Sequence, residues 1–299
     1  MNIVVFGAGA IGSLFGAMLS KNNNVLLIGR KNHIKAINKY GLKIKGKTNI
    51  KVKLNAKTSV NSLKYSPDLF ILTVKSYDTE KAILNAKKII GKKTVVLSLQ
   101  NGLDNINKIE KIVDKKNIIC GVTTCGAFFK KPGIIEHTGT GLTIIGELNS
   151  KNTERINNIN NVFSKSGIKT NVSQDILKEI WTKAIINASI NPLTAVFKCK
   201  NGHLLKNPIL EKIVEKICIE STSIVNANNI CISNKDIIRK TKDVIKKTSE
   251  NLSSMYQSCM KGRKTEIDSI NGKFVDLGIK LNEEREINEI IINSIKILC

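Results

Sequence analysis

At 299 residues, 41% of them apolar, the chain can build a hydrophobic core in each of two domains. Lys and Arg number 48 against 24 Asp and Glu, a formal charge of +24. The basic residues are spread from "KNHIK" to "RKTKDVIKK" without a compact block, and aromatic residues make up only 4%, so a nucleic-acid partner, which needs a clustered patch and stacking platforms, is not expected.

The joint abundance of Lys, Ile and Asn reads as a compositional bias, with attraction of anionic substrates as a side benefit. The seven cysteines are Cys120, Cys125, Cys199, Cys218, Cys231, Cys259 and Cys299. They form no C-x-x-C pair and are odd in number, so a reduced, cytoplasmic protein is expected. The opening "MNIVVFGAGAIGSLFGAMLS" is uncharged, but it lacks a basic leader and carries glycines at Gly7, Gly9, Gly12 and Gly16. Neither a signal peptide nor a membrane span is expected there, and no other uncharged stretch approaches membrane length.

In chain order, Asn2 to Phe6 reads as a β-branched strand, followed by a glycine turn and a helix with Ile11, Leu14, Phe15, Met18 and Leu19 on its apolar face. Gly7, Gly9 and Gly12 fit G-x-G-x-x-G: the first permits the tight turn, the second admits a pyrophosphate to the backbone, and the third lets helix pack on strand. Between strand and helix, the segment Gly7, Ala8, Gly9, Ala10, Ile11 and Gly12 is a candidate dinucleotide site, with the helix N-terminus facing the anion. The next strand, 24–29, ends at Arg30 and Lys31, where an NAD site offers an acid. A basic pair suits a 2′-phosphate and so favours NADP; a surface pair in a lysine-rich chain is the alternative.

Strands at 68–74, 94–99 and 117–122 continue the α/β rhythm and imply a doubly wound, Rossmann-type parallel sheet over residues 1–172. Lys75 and Asn101 fall at carboxyl ends of strands, where ligands bind, though either could equally be a capping or loop residue. "GIIEHTGTGLTIIG" reads as a β-hairpin, and "SKSGIKTNVS" closes the domain.

From about Asp175 the periodicity becomes helical, so 173–299 is expected to be a mainly α-helical domain. Pro192 disfavours a helical Asn191 and predicts an end or a kink within "EIWTKAIINASINPLTAVF". On a helix, Lys183, Asn187 and Asn191 share one face. Lys183 either snorkels its ammonium to water from the edge of an apolar face or is buried for chemistry. Three polar groups on an apolar helix require partners, a cleft or a ligand.

Gly7 to Gly12, Arg30, Lys75, "LQNG", "IWTKAIINASINPLTA", "NGHL", "ENLSSM" and "KTEIDSINGK" together resemble the ketopantoate reductase (2-dehydropantoate 2-reductase) family, from end to end of the chain. The spacing K-x3-N-x3-NPLTA followed by "SSM" and "TEIDSING" is more specific than the glycines. The resemblance implies NADPH-dependent reduction of 2-dehydropantoate to (R)-pantoate, a step toward pantothenate and coenzyme A, with the substrate in a cleft between the two domains. It makes Lys183 the proton donor to the C2 oxygen and Glu266 the carboxylate that holds cofactor, substrate and lysine in register. On the residues alone, Glu266 reads as a surface carboxylate among lysines. Asn187, Asn191, Asn201, Asn251 and Ser254 match substrate-binding positions, and Asn101 bridges nicotinamide and substrate. Lys75, Arg30 and Ala127 resemble cofactor contacts. In "TTCGA", Cys125 stands where a histidine can occur in similar proteins.

His33, His137 and His203 have neither metal-ligand spacing nor an acid partner and read as loop or surface residues. No metal is expected. A sister reductase for another 2-oxo acid, and a non-catalytic NADP sensor or polyanion binder, are the competing readings. The expected partner is a small 2-oxo acid, with no nucleic acid and no membrane; an apolar stripe on the C-terminal helices leaves a homodimer open.

Overall fold

The computed structural model describes Met1–Cys299. The chain forms two compact units, Met1–Gln100 with Asn105–Ile176, and Asn101–Asp104 with Leu177–Cys299. The boundary thus falls after Ile176 rather than after 172, because Ser173 N–H bonds the Ile145 carbonyl at 2.8 Å and Ile176 packs on Gly146. The segment Asn101–Asp104 leaves the first unit because Leu103 N–H bonds the Ser269 carbonyl at 2.9 Å.

The first unit opens with β1 (Asn2–Phe6), α1 (Ala10–Leu19), β2 (Asn24–Ile28) and α2 (Lys31–Tyr40), then β3 (Leu42–Gly46), β4 (Ile50–Val52) and β5 (Asn55–Lys57). It continues with β6 (Leu69–Leu72), α3 (Thr79–Ala86), β7 (Val95–Ser98), α4 (Asn105–Glu110) and β8 (Ile118–Thr123). It ends with β9 (Gly126–Lys131), β10 (Ile134–Gly139), β11 (Thr143–Glu147), α5 (Glu154–Lys165) and β12 (Thr170–Val172).

Eight strands form one sheet in the order β12-β11-β8-β7-β6-β1-β2-β5. Every neighbouring pair is parallel except β11 with β8. From β1 the chain goes to β2 on one side and later to β6 on the other, which places the reversal of strand order at the carboxyl end of β1. β1, β6, β7 and β8 are almost wholly buried, as strands of a two-sided parallel sheet must be.

The expected hairpin over 133–146 does not form. Its two halves go to different sheets: β10 pairs antiparallel with β9 and parallel with β3 in a separate four-stranded sheet, β4-β3-β10-β9, while β11 pairs with β8 and β12. The smaller sheet contributes Leu42, Ile44 and Ile135 to the core that contains Phe15 and Phe163, whose rings meet edge to face at 6.0 Å.

The second unit is helical: α6 (Ile176–Val196), α7 (Pro208–Ala227), α8 (Asn234–Lys247), α9 (Ser254–Cys259), α10 (Asn271–Leu281) and α11 (Glu286–Leu298). Starts are set locally. Asn207 accepts from the N–H groups of Ile209 and Leu210 with Pro208 at the first helical position, and Ser253 accepts from Tyr256 N–H. The core gathers Ile185, Leu193, Ile217 and Phe274, with Trp181 against Phe274 at 5.6 Å.

α6 does not end at Pro192 but runs through it. The Ala188 carbonyl, which the proline cannot serve, accepts instead from Nδ2 of Asn271 at 3.2 Å. A second correction concerns the thiols: Cys259 and Cys299 are joined as a disulfide, Cα to Cα 5.4 Å, whereas the other five cysteines are free. α9 and α11 bring these two together although nothing in their spacing announces it. No helix is long and apolar enough to cross a membrane.

Candidate active site

In the first unit the glycine turn lies at the carboxyl end of β1, at the reversal of strand order. Gly7 has φ +117°, and a Cβ there would come within 2.6 Å of Val74 N. A Cβ on Gly12 would collide with the Gly7 carbonyl and Thr73 Oγ1. Both glycines are therefore dictated by packing within the chain. Gly9 differs: it is exposed, and a Cβ there would meet nothing nearer than 3.9 Å. The space above it is open. Gly9 is also the N-cap of α1, with no side-chain cap and no acid in the first turn, so the N–H groups that open the helix keep their positive end for an anion.

Ala8 is buried beneath the turn, with Ala10 and Ile11 half-buried. Thr73, which the sequence pattern did not single out, donates its hydroxyl to the Gly7 carbonyl at 2.8 Å. Beside it Gln100 donates to the Val74 carbonyl at 2.9 Å and to Thr79 Oγ1 at 2.7 Å, which fixes the loop that presents half-buried Lys75. Arg30 and Lys31 are exposed at the start of α2, where no side chain caps the helix and no acid occupies its first turn. Ala127 is half-buried on β9, near Cys125, whose thiol faces the Gly141 carbonyl at 3.6 Å. A polar recess lined by Ser20, Asn23, Asn24, Lys53 and Asn55 lies at the amino end of β2, the wrong end of the sheet for a nucleotide.

In the second unit α6 presents Lys183 and Asn187 half-buried and Asn191 at 7% exposure. Glu266 is only 6% exposed, which overturns its reading as a surface carboxylate. Its stretch is fastened by Ser269 and Ile270 N–H groups, which bond the Glu266 carbonyl at 3.1 and 3.0 Å. Ser269 also accepts from Leu103 N–H, so the Asn101 segment is anchored three residues from Glu266.

Asn251 and Asn201 are joined through backbone: Asn201 N–H bonds the Asn251 carbonyl at 3.0 Å, and Asn201 Nδ2 donates to Thr248 Oγ1 at 2.9 Å. Asn201 Oδ1 is buried with no hydrogen-bond partner, an acceptor aimed at nothing in the protein. Ser254 is exposed, while its neighbour Ser253 is buried and accepts the Thr194 hydroxyl at 2.7 Å. The second unit thus contains Asn101, Lys183, Asn187, Asn191, Asn201, Asn251, Ser254 and Glu266 on five segments: those of Asn101 and Glu266 are tied to each other, and those of Asn201, Asn251 and α6 to one another, by the bonds above.

Two histidines are not surface residues. His33 is 3% exposed, with Nδ1 accepting from Gly133 N–H at 2.9 Å and Nε2 facing Ser13 Oγ at 3.0 Å. Because Nδ1 accepts, the proton resides on Nε2 and is donated to Ser13. Burial pushes its pKa down to about 4. His137, 4% exposed, lies between Thr48 Oγ1 and the Gly139 carbonyl, and burial lowers its pKa too. Both serve the small sheet; His203 is exposed.

Known proteins resemble this chain along nearly its whole length. The family described as ketopantoate reductase PanE/ApbA matches residues 3–150, and its C-terminal counterpart matches 175–298. A 2-dehydropantoate 2-reductase of Pyrococcus horikoshii is 40% identical over 291 residues, which cover 96% of this chain and 94% of the relative. One from Archaeoglobus fulgidus is 32% identical over 296 residues, 98% and 96% of the two chains. Among solved structures, a D-mandelate dehydrogenase with NADH and anilino(oxo)acetate superposes with a TM-score of 0.95 at 28% identity, covering 100% of this chain and 98% of that one. A PanE/ApbA family ketopantoate reductase from Ralstonia eutropha gives 0.91 at 26% identity, with the same coverage. With both halves matched by its models and relatives aligned over nearly its full length, the chain belongs to the ketopantoate reductase family.

Proposed function

We propose that this protein reduces 2-dehydropantoate to (R)-pantoate with NADPH, a step of pantothenate and coenzyme A biosynthesis. The observation that carries the reading is the α6 face Lys183, Asn187, Asn191, in a unit that also buries Glu266 and leaves Asn201 Oδ1 unpartnered. A reduced nicotinamide dinucleotide supplies the hydride that adds to C2. The open ground above Gly9 and the uncapped start of α1 fit its pyrophosphate, with Ala8, Ala10, Ile11, Lys75 and Ala127 as further contacts. Arg30 would hold a 2′-phosphate, for which a carboxylate at that position would be repulsive.

As the ketone is reduced, negative charge builds on its oxygen. The Lys183 ammonium stabilises that charge and gives up the proton, so only a hydroxyl is left on C2. Asn101, Asn187, Asn191, Asn201, Asn251 and Ser254 hold the substrate's hydroxyl and carboxylate by neutral hydrogen bonds, which leave its charge unchanged. Glu266 keeps lysine, substrate and cofactor in register.

A second reading, reduction of another 2-oxo acid, is favoured by the similarity to a D-mandelate dehydrogenase solved with NADH. Physical chemistry weighs against an aryl substrate here, because a phenyl group offers no donor to the buried, unpartnered Oδ1 of Asn201. Oxidation of NADPH and of NADH is to be followed with 2-dehydropantoate and with phenylglyoxylate. Turnover of 2-dehydropantoate with NADPH supports the proposal; turnover of the aryl acid alone replaces it with the second reading.

A further inference from the structure

Pro192 brings no N–H to α6, and the carbonyl it leaves without a helical donor, that of Ala188, lies between Asn187 and Asn191. The turn that joins the two amides of the proposed substrate face therefore lacks one of its backbone bonds. Asn271 supplies it through Nδ2, at 3.2 Å.

The orientation of that amide is forced by a chain of donors and acceptors. Glu220 is an acceptor; it takes the N–H groups of Ile287 and Asn288 at 2.9 and 3.0 Å and Nδ2 of Asn288 at 2.7 Å. Asn288 must therefore present its Oδ1 to Asn271, at 2.9 Å, and Asn271 must answer with its NH2 group. Asn271 and Asn288 are both at 0% exposure, and Asn271 Oδ1 has no partner. An apolar side chain here would remove the unpaired Oδ1 but leave the Ala188 carbonyl and the buried Asn288 Oδ1 without this donor, so it is the NH2 group that the position requires.

Asn271 also lies five residues beyond Glu266 on the same stretch. Its bond to Ala188 thus ties the Glu266 segment to the turn between Asn187 and Asn191. The Thr194 to Ser253 bond does the same for the segment that carries Ser254.

We infer that Asn271 is a positioning residue for the reduction, setting the α6 face by replacing the hydrogen bond that Pro192 removes. This rests on the reading of Lys183, Asn187 and Asn191 as the reacting and substrate-holding face.

The test is a cycle of four proteins, parent, Asn271→Ala, Pro192→Ala and the double variant, assayed with 2-dehydropantoate and NADPH well below their melting temperatures. Alanine at 192 returns a backbone N–H to the Ala188 carbonyl. Asn271→Ala is expected to lower kcat/KM about tenfold or more, the scale on which small misplacements act, with NADPH affinity unchanged. In the Pro192→Ala background the loss should shrink to about threefold or less, because the backbone N–H then replaces the lost donor. Amide exchange over 187–196 should accelerate in Asn271→Ala and recover in the double variant.

An equal loss in both backgrounds, or unchanged kinetics in Asn271→Ala while the parent is active, overturns the inference and leaves the function intact. A parent inactive on 2-dehydropantoate overturns the function and the positioning role with it. Should Asn271→Ala fail to fold, Asn271→Ser is compared in the same cycle, and a folded double variant without regained turnover counts against the inference.

Discussion

The hydroxyl of Thr73 reaches the carbonyl of Gly7 at 2.8 Å and so locks the glycine turn to the end of β6, across the reversal of strand order. It also explains why the three motif glycines are unequal. Gly7 and Gly12 are hemmed in by Val74 and Thr73, whereas Gly9 faces open space. Gly12→Ala should therefore destabilise the fold by about 2 kcal/mol or more through overpacking against backbone. Gly9→Ala should melt like the parent yet bind NADPH about tenfold more weakly, since its methyl group enters the open space proposed for the pyrophosphate. Thermal melting and titration of cofactor fluorescence separate the two, and a Gly9→Ala protein with full affinity would place the pyrophosphate elsewhere.

Arg30 and Lys31 are exposed at an uncapped helix start without an acid nearby. If Arg30 holds the 2′-phosphate as proposed, Arg30→Ala is expected to weaken NADPH about tenfold or more while leaving NADH nearly unchanged, because charge-assisted bonds to that phosphate would be lost. The ratio of kcat/KM for the two cofactors reads this directly. Equal losses for both would reduce Arg30 to general electrostatic attraction.

Burial of His33 couples stability to acid. Its pKa falls from 6.5 to about 4 on folding, so between those values the unfolded chain holds the extra proton and stability rises with pH. The contribution is complete above pH 6.5 and is lost as pH falls toward 4; it amounts to roughly 3 kcal/mol at most. Urea unfolding between pH 7 and 4 should show this slope (about pH 6.5 downward), and His33→Gln should flatten it. An unchanged slope in the variant would assign the effect to other groups.

The Cys259–Cys299 disulfide closes a loop of sequence separation 40 and ties the last residue to α9. Constraint of the unfolded chain should make it worth about 2–4 kcal/mol. Dithiothreitol is therefore expected to lower the melting temperature of the parent but not that of a Cys259→Ser, Cys299→Ser double variant. Two titratable thiols more than the five free cysteines, found in the untreated protein under denaturant, would show that the bond does not form in solution.

Glycines and lysine-amide spacing were legible because each has a strict geometric requirement: a turn at φ +117°, and one helix face at every fourth residue. The small sheet was not read. Its "LKIKG" strand does alternate, with Leu42 and Ile44 buried, but the strands are short and β3 finds its parallel partner β10 far along the chain. Pro192 leaves an end or a kink open on sequence grounds, and what lets α6 run through it is illegible for a similar reason: the substitute donor, Asn271, is remote in sequence. Thr73 and Ser253 likewise act through long-range bonds that no local pattern encodes. His33 reads as a loop or surface residue because it has neither metal-ligand spacing nor an acid partner, yet it is an inward position of an amphipathic helix that also buries Ile34 and Ile37.

The central claim is that Lys183 gives the proton. It is tested most directly by single-turnover reduction of 2-dehydropantoate by saturating NADPH in the parent and in Lys183→Ala. Loss of the proton donor should slow turnover by about 10²–10⁴-fold, with NADPH bound as tightly as in the parent. A Lys183→Ala protein that reduces the substrate at near the parent rate would contradict the account.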